Sequence, residues 1–94
     1  ALNAYIVEAV RTPGGRRNGK LSKFHPADLG AIVINELVDR TKMDPSLVDD
    51  VIFGCVSQIG SQSANIARTA VLSSKLPITV PGTTVDRQCG SSQQ

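Results

Sequence analysis

Strand-like and helix-like segments alternate along this chain, and their order limits the folds that it can adopt. Residues 5–10 and 51–56 are short apolar runs, and residues 82–88 form a third segment of strand length after Pro81. Segments of helical periodicity separate the three, and a further helix is expected to start at residue 90. This order implies parallel strands joined by right-handed crossovers. We therefore predict an α/β fold whose chemistry lies at the carboxyl ends of the strands.

Two helices are predicted between the strands. The first begins at Pro26, with Asp28 complementing the helix dipole, and continues to about Thr41. The stripe of this helix that is predicted to face the core consists of Leu29, Ile32, Val33 and Leu37. The second helix is expected after a cap at Ser63. Its predicted buried face consists of Ile66, Ala67, Ala70 and Val71.

Composition and charge argue against several classes of function. The chain has 94 residues, 40 % hydrophobic and 19 % charged, which suits one small folded unit. Five basic residues fall within residues 11–23, but the chain has one Tyr, two Phe and no Trp, so nucleic-acid binding is not expected. No aliphatic run approaches the roughly 20 residues that span a membrane, and residues 1–4 lack a signal-peptide pattern. We expect a soluble protein with reduced thiols, in the cytoplasm or an organelle matrix.

Cys89 stands where the third predicted strand turns into the helix that opens with Gly90. A thiol at a helix N-terminus faces unpaired backbone N–H groups and the positive end of the dipole, which favours the thiolate form. The small residues that follow leave space around the sulfur, and the Cys89 backbone N–H is a candidate donor to a thioester oxyanion. We therefore predict that Cys89 is an acyl-accepting nucleophile. The alternative is a buried cysteine that acts as a small hydrophobe.

Cys55 lies inside the second apolar run and is predicted to fill the core. The two cysteines match no metal-ligand spacing, so no metal site is predicted. A disulfide between Cys55 and Cys89 stays open on spacing alone, because adjacent parallel strands bring such positions close together. The expected reducing compartment argues against it.

Three other features have weaker functional interpretations. Residues 14–20 match most of the phosphate-binding-loop pattern, but Leu21 replaces the Ser or Thr that would hold Mg²⁺, so a solvated loop is favoured. His25, the single histidine, is predicted to start the first helix rather than to act as a base for Cys89. Arg68 is interpreted as a surface arginine, with pairing to a carboxylate at a subunit or domain contact as the alternative.

Three motifs resemble those of the thiolases. The segment VDRQCGSSQQ at residues 85–94 resembles the nucleophilic-cysteine motif of that family. The segment EAVRTP at residues 8–13 looks like its opening strand and turn, and NIAR at residues 65–68 looks like one of its helix starts. The motifs stand in family order, and the resemblance runs from residue 5 to residue 94.

The resemblance implies a thiolase-like fold, with this chain as the N-terminal βαβαβ(α) part of a layered α/β/α domain. It implies a CoA-dependent acyltransferase in which Cys89 is acylated by a 3-ketoacyl-CoA or by acetyl-CoA and passes the acyl group to CoA or to an acetyl-CoA carbanion. CoA would be a substrate, with no permanently bound cofactor. The family also implies a homotetramer built as a dimer of dimers, with residues 58–68 and the strand before Cys89 at the dimer contact.

Residues 1–94 are expected to form the N-terminal part of the thiolase N-terminal domain, with more chain after residue 94. The resemblance implies that the other catalytic groups lie further along: an activating histidine, a second cysteine, and an oxyanion site built from a histidine and an asparagine-held water. Two alternatives stay open. One is a ketoacyl synthase-type condensing enzyme on the same fold, and the other is a non-enzymatic interaction module.

Overall fold

The computed structural model describes residues 2–94, so Ala1, the first residue of the predicted domain segment, lies outside the described residues. Two α-helices and two β-strands make up the longer elements. They are α1 (Pro26–Thr41), β1 (Val51–Gly54), α2 (Ile66–Leu72) and β2 (Gly82–Val85). Short 3₁₀ turns precede β1 and α2, at Pro45–Leu47 and Gly60–Gln62 respectively.

The two strands pair in parallel, with Val51 opposite Gly82 and Gly54 opposite Val85. Helices α1 and α2 pack against each other, and the core between helices and sheet includes the ring of Phe53. Because side chains alternate along a strand, the neighbouring Ile52 points to the other face, where it is 49 % exposed. Parallel strands connected through a helix confirm the predicted α/β class.

Helix α1 has the bounds that the sequence predicts, because both of its ends are capped. His25 is the N-cap: its Nδ1 accepts a hydrogen bond from the Ala27 N–H at 3.0 Å. Pro26 takes the first helical position, where its missing N–H would have had no partner. At the other end Lys42 adopts a left-handed φ of 54° and donates its N–H to the Val38 carbonyl.

The face of α1 that meets the core differs from the predicted stripe. Its buried residues are Ala27, Ala31 and Ile34. Small residues decide this outcome, because a Cβ on Gly30 would lie 2.7 Å from the Phe53 ring and 3.0 Å from Ala70 of α2. Ile32 of the predicted stripe is 46 % exposed. The members of that stripe that line open clefts beside the N-terminal segment are Ile32, Val33 and Leu37.

Residues 5–10 form no strand, which corrects the predicted order of three strands. Their side chains are largely exposed, with Tyr5 at 80 % and Ile6 at 92 %. The segment runs beside α1, whose backbone N–H and C=O groups are already paired within the helix. An apolar run that lies along a helix therefore gains no ladder of hydrogen bonds, however strong its strand propensity.

Helix α2 is capped by Asn65 rather than by Ser63, the predicted cap. The Asn65 Oδ1 accepts hydrogen bonds from the Arg68 N–H at 3.1 Å and from the Thr84 hydroxyl at 2.7 Å. Its Nδ2 donates to the Gly82 carbonyl at 2.8 Å, so the cap also ties α2 to β2. The predicted buried face of α2 is confirmed: it consists of Ile66, Ala67, Ala70 and Val71.

Candidate active site at the carboxyl ends of the strands

The two strands end at the same edge of the sheet, and the loop that follows each strand leaves from that edge. The Cys55 N–H donates to the Val85 carbonyl at 2.9 Å, one residue beyond the last paired position of β1. Residues 55–63 then continue from β1, and residues 86–94 continue from β2. Both cysteines of the chain are therefore in segments that leave from one edge, which is where parallel sheets place ligand-binding groups.

Cys89 occupies the third position of a four-residue turn. The Gly90 N–H donates to the Arg87 carbonyl at 2.7 Å, which closes the turn. Cys89 has a φ of 66°, in the left-handed region, whereas Gln88 before it does not have a positive φ. This combination is that of a type II turn, in which glycine or asparagine is usual at the third position. A cysteine in this conformation costs on the order of 1–3 kcal/mol, so surrounding contacts must hold it in place.

Two side-chain hydrogen bonds hold this turn. The Ser91 hydroxyl oxygen accepts from the Arg87 N–H at 3.0 Å, and the Arg87 guanidinium donates to the side-chain oxygen of Gln94. The Gln94 N–H donates to the Gly90 carbonyl at 3.2 Å, with the spacing of an α-helix. The helix predicted from residue 90 is not formed within the described residues, where only this hydrogen-bonded turn follows Cys89.

The end of β1 lies directly beneath this segment. A Cβ added to Gly54 would come within 2.5 Å of the Ser92 hydroxyl oxygen and within 2.7 Å of the Ser91 carbonyl carbon, and it would also clash with the Ser92 backbone nitrogen. Glycine inside a strand often marks such a close approach of another backbone. The Ser91–Ser92 peptide therefore packs on the bare Cα of Gly54.

Cys89 is open to solvent. Its side chain is exposed, which differs from the buried hydrophobe of the alternative interpretation. Its backbone N–H donates to no acceptor among residues 2–94. A thiol and a free backbone donor from the same residue are both available to a ligand that approaches the sheet edge.

Cys55 does not fill the core, which corrects that prediction. It is half-buried, and its thiol contacts polar groups: Sγ lies 3.7 Å from the Ser57 carbonyl and accepts from the Gln62 amide at 3.5 Å. The Gln58 amide donates to the Cys55 carbonyl at 2.9 Å. β1 ends at Gly54, so Cys55 already belongs to the loop. Both cysteines are free thiols, and no disulfide joins Cys55 to Cys89.

The remaining predicted features lie away from this turn or serve the fold. Residues 14–20 are followed by successive turns, and helix α1 begins only at Pro26, as the solvated-loop interpretation requires. Arg68 is not a plain surface arginine, because its guanidinium donates to the Val80 carbonyl at 2.7 Å. Among residues 2–94, no group of three or more His, Cys, Asp or Glu side chains is placed to hold a metal ion. In the same range no helix has the length and apolar character needed to cross a bilayer.

Comparison with known proteins assigns the family. Residues 4–94 match the family model described as "Thiolase, N-terminal domain". The chain is 58 % identical over 91 residues to the steroid 3-ketoacyl-CoA thiolase FadA6 of Mycobacterium tuberculosis, with 97 % of this chain and 22 % of that protein covered. It is 48 % identical over 91 residues to the beta-ketoadipyl-CoA thiolase of Acinetobacter baylyi, with 96 % of this chain and 23 % of that protein covered. The chain belongs to the thiolase N-terminal domain family.

A third relative has similar coverage. The 3-oxoadipyl-CoA/3-oxo-5,6-dehydrosuberyl-CoA thiolase of Escherichia coli is 46 % identical over 89 residues, with 94 % of this chain and 22 % of that protein covered. The chain therefore spans less than a quarter of the length of these three relatives. The family assignment confirms the thiolase resemblance that the motifs indicate.

Sequence reasoning missed two residues of this site. The sequence pattern gives no role to Gly54, which lies beneath the Cys89 turn, and it singles out Ser91 only for its small size, whereas the Ser91 hydroxyl oxygen accepts from the Arg87 N–H. The single available signal is a glycine inside an apolar run, which indicates a close approach without indicating what approaches.

Proposed function

We propose that this chain is the N-terminal part of a CoA-dependent acyltransferase of the thiolase type, with Cys89 as its nucleophile. The observation that carries the proposal is the exposed Cys89 thiol, held in a left-handed turn just beyond the carboxyl end of β2, within a family-matched segment. A non-glycine residue in such a conformation costs free energy, and that cost is typical of positions where function fixes the residue type.

The reaction proceeds through an acyl-enzyme. The Cys89 thiolate adds to the 3-keto carbonyl carbon of a 3-ketoacyl-CoA, and the bond between the second and third acyl carbons breaks. The electron pair leaves with the acetyl-CoA fragment, which takes up a proton. The acyl group, now a thioester of Cys89, is attacked by the thiol of free CoA, which releases acyl-CoA and restores the cysteine. In the reverse direction acetyl-CoA acylates Cys89, and an acetyl-CoA carbanion accepts the acyl group.

The free N–H of Cys89 supports a second role for the same residue. Addition to the carbonyl places negative charge on oxygen, and a backbone donor fixed in advance stabilises that charge without reorganisation. In this turn the N–H has no competing acceptor among residues 2–94. His25 is committed to the N-cap of α1 through its Nδ1, so we assign the proton transfers to residues of the longer polypeptide.

The proposed substrates follow the names of the relatives. Each name combines thiolase activity with a keto- or oxoacyl-CoA, and the acyl groups differ between them. We propose CoA thioesters of 3-keto acids as the substrate class, CoA as the second substrate, and no permanently bound cofactor. We further propose a dimer of dimers with residues 58–68 and the strand before Cys89 at the dimer contact, in a reducing compartment such as the cytoplasm.

The test is a thiolysis assay with the full-length polypeptide that carries this sequence. Wild type, Cys89→Ser and Cys55→Ser are assayed with CoA and a panel of 3-ketoacyl-CoAs with short, medium and ring-bearing acyl groups. We expect turnover of at least one substrate by wild type and by Cys55→Ser, and a loss of at least about 1,000-fold in Cys89→Ser. Activity with acyl carrier protein thioesters but with no CoA thioester would instead identify a ketoacyl synthase. No turnover with either carrier would favour the interaction module.

A further inference from the structure

The contact between Gly54 and the Ser91–Ser92 peptide joins the end of one strand to the segment that carries Cys89. The atoms that a Cβ at residue 54 would meet include the Ser91 carbonyl carbon at 2.7 Å and the Ser92 backbone nitrogen. Backbone atoms cannot rotate away as the end of a long side chain can. The Ser91 carbonyl carbon would have to retreat by more than half an ångström to reach ordinary van der Waals contact at 3.4 Å.

Two hydrogen bonds connect the ends of the segment from Arg87 to Ser91. The Arg87 carbonyl accepts from the Gly90 N–H at 2.7 Å, and the Arg87 N–H donates to the Ser91 hydroxyl oxygen at 3.0 Å. Cys89 lies between these two connections. A displacement of Ser91 away from β1 is therefore transmitted to Cys89, whose left-handed φ of 66° leaves few other conformations for the turn.

We propose that Gly54 is a positioning residue for Cys89. Its bare Cα is the surface on which the Ser91–Ser92 peptide rests, and with the Ser91 hydroxyl it sets the height of the thiol above the sheet edge. The residue does not touch the substrate, and it acts through the turn. This inference rests on the proposed function, because it gives Gly54 a consequence for acyl transfer from Cys89.

A displacement of the thiol affects bond formation more than substrate binding. Reacting groups must approach within about 3–3.5 Å in the correct orientation, and a misplacement of about 1 Å can cost on the order of 100-fold in rate. Reaction of an exposed thiol with a small alkylating agent has no such geometric requirement. Cys89 is exposed among residues 2–94, and a site that admits an acyl-CoA also admits a small alkylating agent, so we expect the agent to reach the thiol before and after a small shift of the turn.

The experiment measures three quantities in the full-length protein: kcat and KM for thiolysis of the best 3-ketoacyl-CoA, and the rate of Cys89 alkylation by iodoacetamide. For Gly54→Ala we expect kcat to fall by about 100-fold, with KM within about threefold and the alkylation rate within about threefold of wild type. General misfolding would change kcat, KM and the alkylation rate together. A fall in kcat alone therefore distinguishes a positioning role from a loss of structure.

Two control variants show whether the loss of kcat depends on the location of the replaced glycine or only on the added methyl group. Gly82→Ala creates a comparable clash with the backbone of α2 at the amino end of β2, and Gly14→Ala meets nothing within 4 Å. Both are expected to retain kcat within about threefold of wild type, because the Gly82 clash does not include the Cys89 turn and a Cβ at Gly14 makes no contact. A kcat for Gly54→Ala within about threefold of wild type would overturn the proposal, as would an equal loss in Gly82→Ala.

Ser91→Ala provides a second test that adds no bulk, in case Gly54→Ala is not recovered as folded protein. It removes the hydroxyl that accepts from the Arg87 N–H, and we expect about a tenfold lower kcat with KM within about threefold of wild type. An unchanged kcat in this variant would contradict the proposal. The proposed function fails separately: if Cys89→Ser retains wild-type thiolysis, Cys89 is not the nucleophile, whatever the Gly54 variants do.

Discussion

The packed centre of the molecule and the carboxyl edge of its sheet use close approach in different ways. In the centre, Gly82 lets β2 approach the backbone of α2, and Gly30 lets α1 pack closely on the side chains of Phe53 and Ala70. The helices themselves have regular, capped conformations. At the edge, Gly54 allows the same closeness, but the segment above it contains Cys89 in a left-handed conformation. Glycine therefore allows close packing of helices and sheet in the centre, and at the edge it supports a strained turn.

The largest effect on stability is expected at the amino end of β2. A Cβ in Gly82→Ala would lie 2.7 Å from the Arg68 nitrogen and 2.8 Å from the Ala67 carbonyl carbon, both backbone atoms of α2. Overpacking of this kind typically costs about 1–3 kcal/mol. Hydrogen exchange of α2 amides in the full-length protein measures the loss as faster local opening, while kcat stays near the wild-type value. Unchanged α2 protection would show that the centre adapts more easily than we describe.

A smaller loss of stability is expected from Asn65→Ala, a second variant in the packed centre. The variant removes the N-cap of α2 and its hydrogen bonds to the Gly82 carbonyl and the Thr84 hydroxyl. Loss of such a cap costs about 1–2 kcal/mol. The same exchange measurement should show faster opening of the first turn of α2, and Asn65→Asp should recover part of the protection because it restores the capping oxygen. Equal protection in both variants would contradict the capping role.

The smallest change in stability is expected at the carboxyl edge of the sheet, and it is a gain rather than a loss. Cys89→Gly relieves the left-handed strain and should raise the free energy of unfolding by about 0.5–1 kcal/mol, while it abolishes acyl transfer. Cys89→Ala, which keeps a Cβ and also lacks the thiol, should give no such gain. We would measure this difference by comparing the urea concentrations at which the full-length Cys89→Gly and Cys89→Ala variants are half unfolded. A Cys89→Gly midpoint at or below that of Cys89→Ala would show that the turn is not strained.

Local signals in the sequence predicted much of the packed centre. Pro26 marks the start of α1, and the alternation of helical and apolar segments predicted the parallel pair of strands. The buried face of α2 followed from spacing alone. Each of these features depends on interactions between residues that are close together in the sequence.

Features that depend on tertiary contacts could not be predicted in the same way. The core face of α1 is set by Gly30 and two alanines, which a hydrophobic pattern ranks below Ile32. Residues 5–10 have strand-like composition but no strand partner in the described part of the chain. At the site, sequence placed Cys89 just after a strand. The left-handed φ of Cys89 has no residue-type signal, because cysteine rarely adopts it, and the Gly54 contact joins chain segments far apart in sequence.

Intact-mass spectrometry of the full-length protein after incubation with acetyl-CoA, followed by peptide mapping, tests the central claim most directly. We predict that one acetyl group is added per subunit, that it maps to Cys89, that Cys55 stays unmodified, and that later addition of CoA removes the label. Acetylation at Cys55 or at another residue, or no acetylation under conditions in which 3-ketoacyl-CoA is cleaved, would contradict the assignment of Cys89 as the nucleophile.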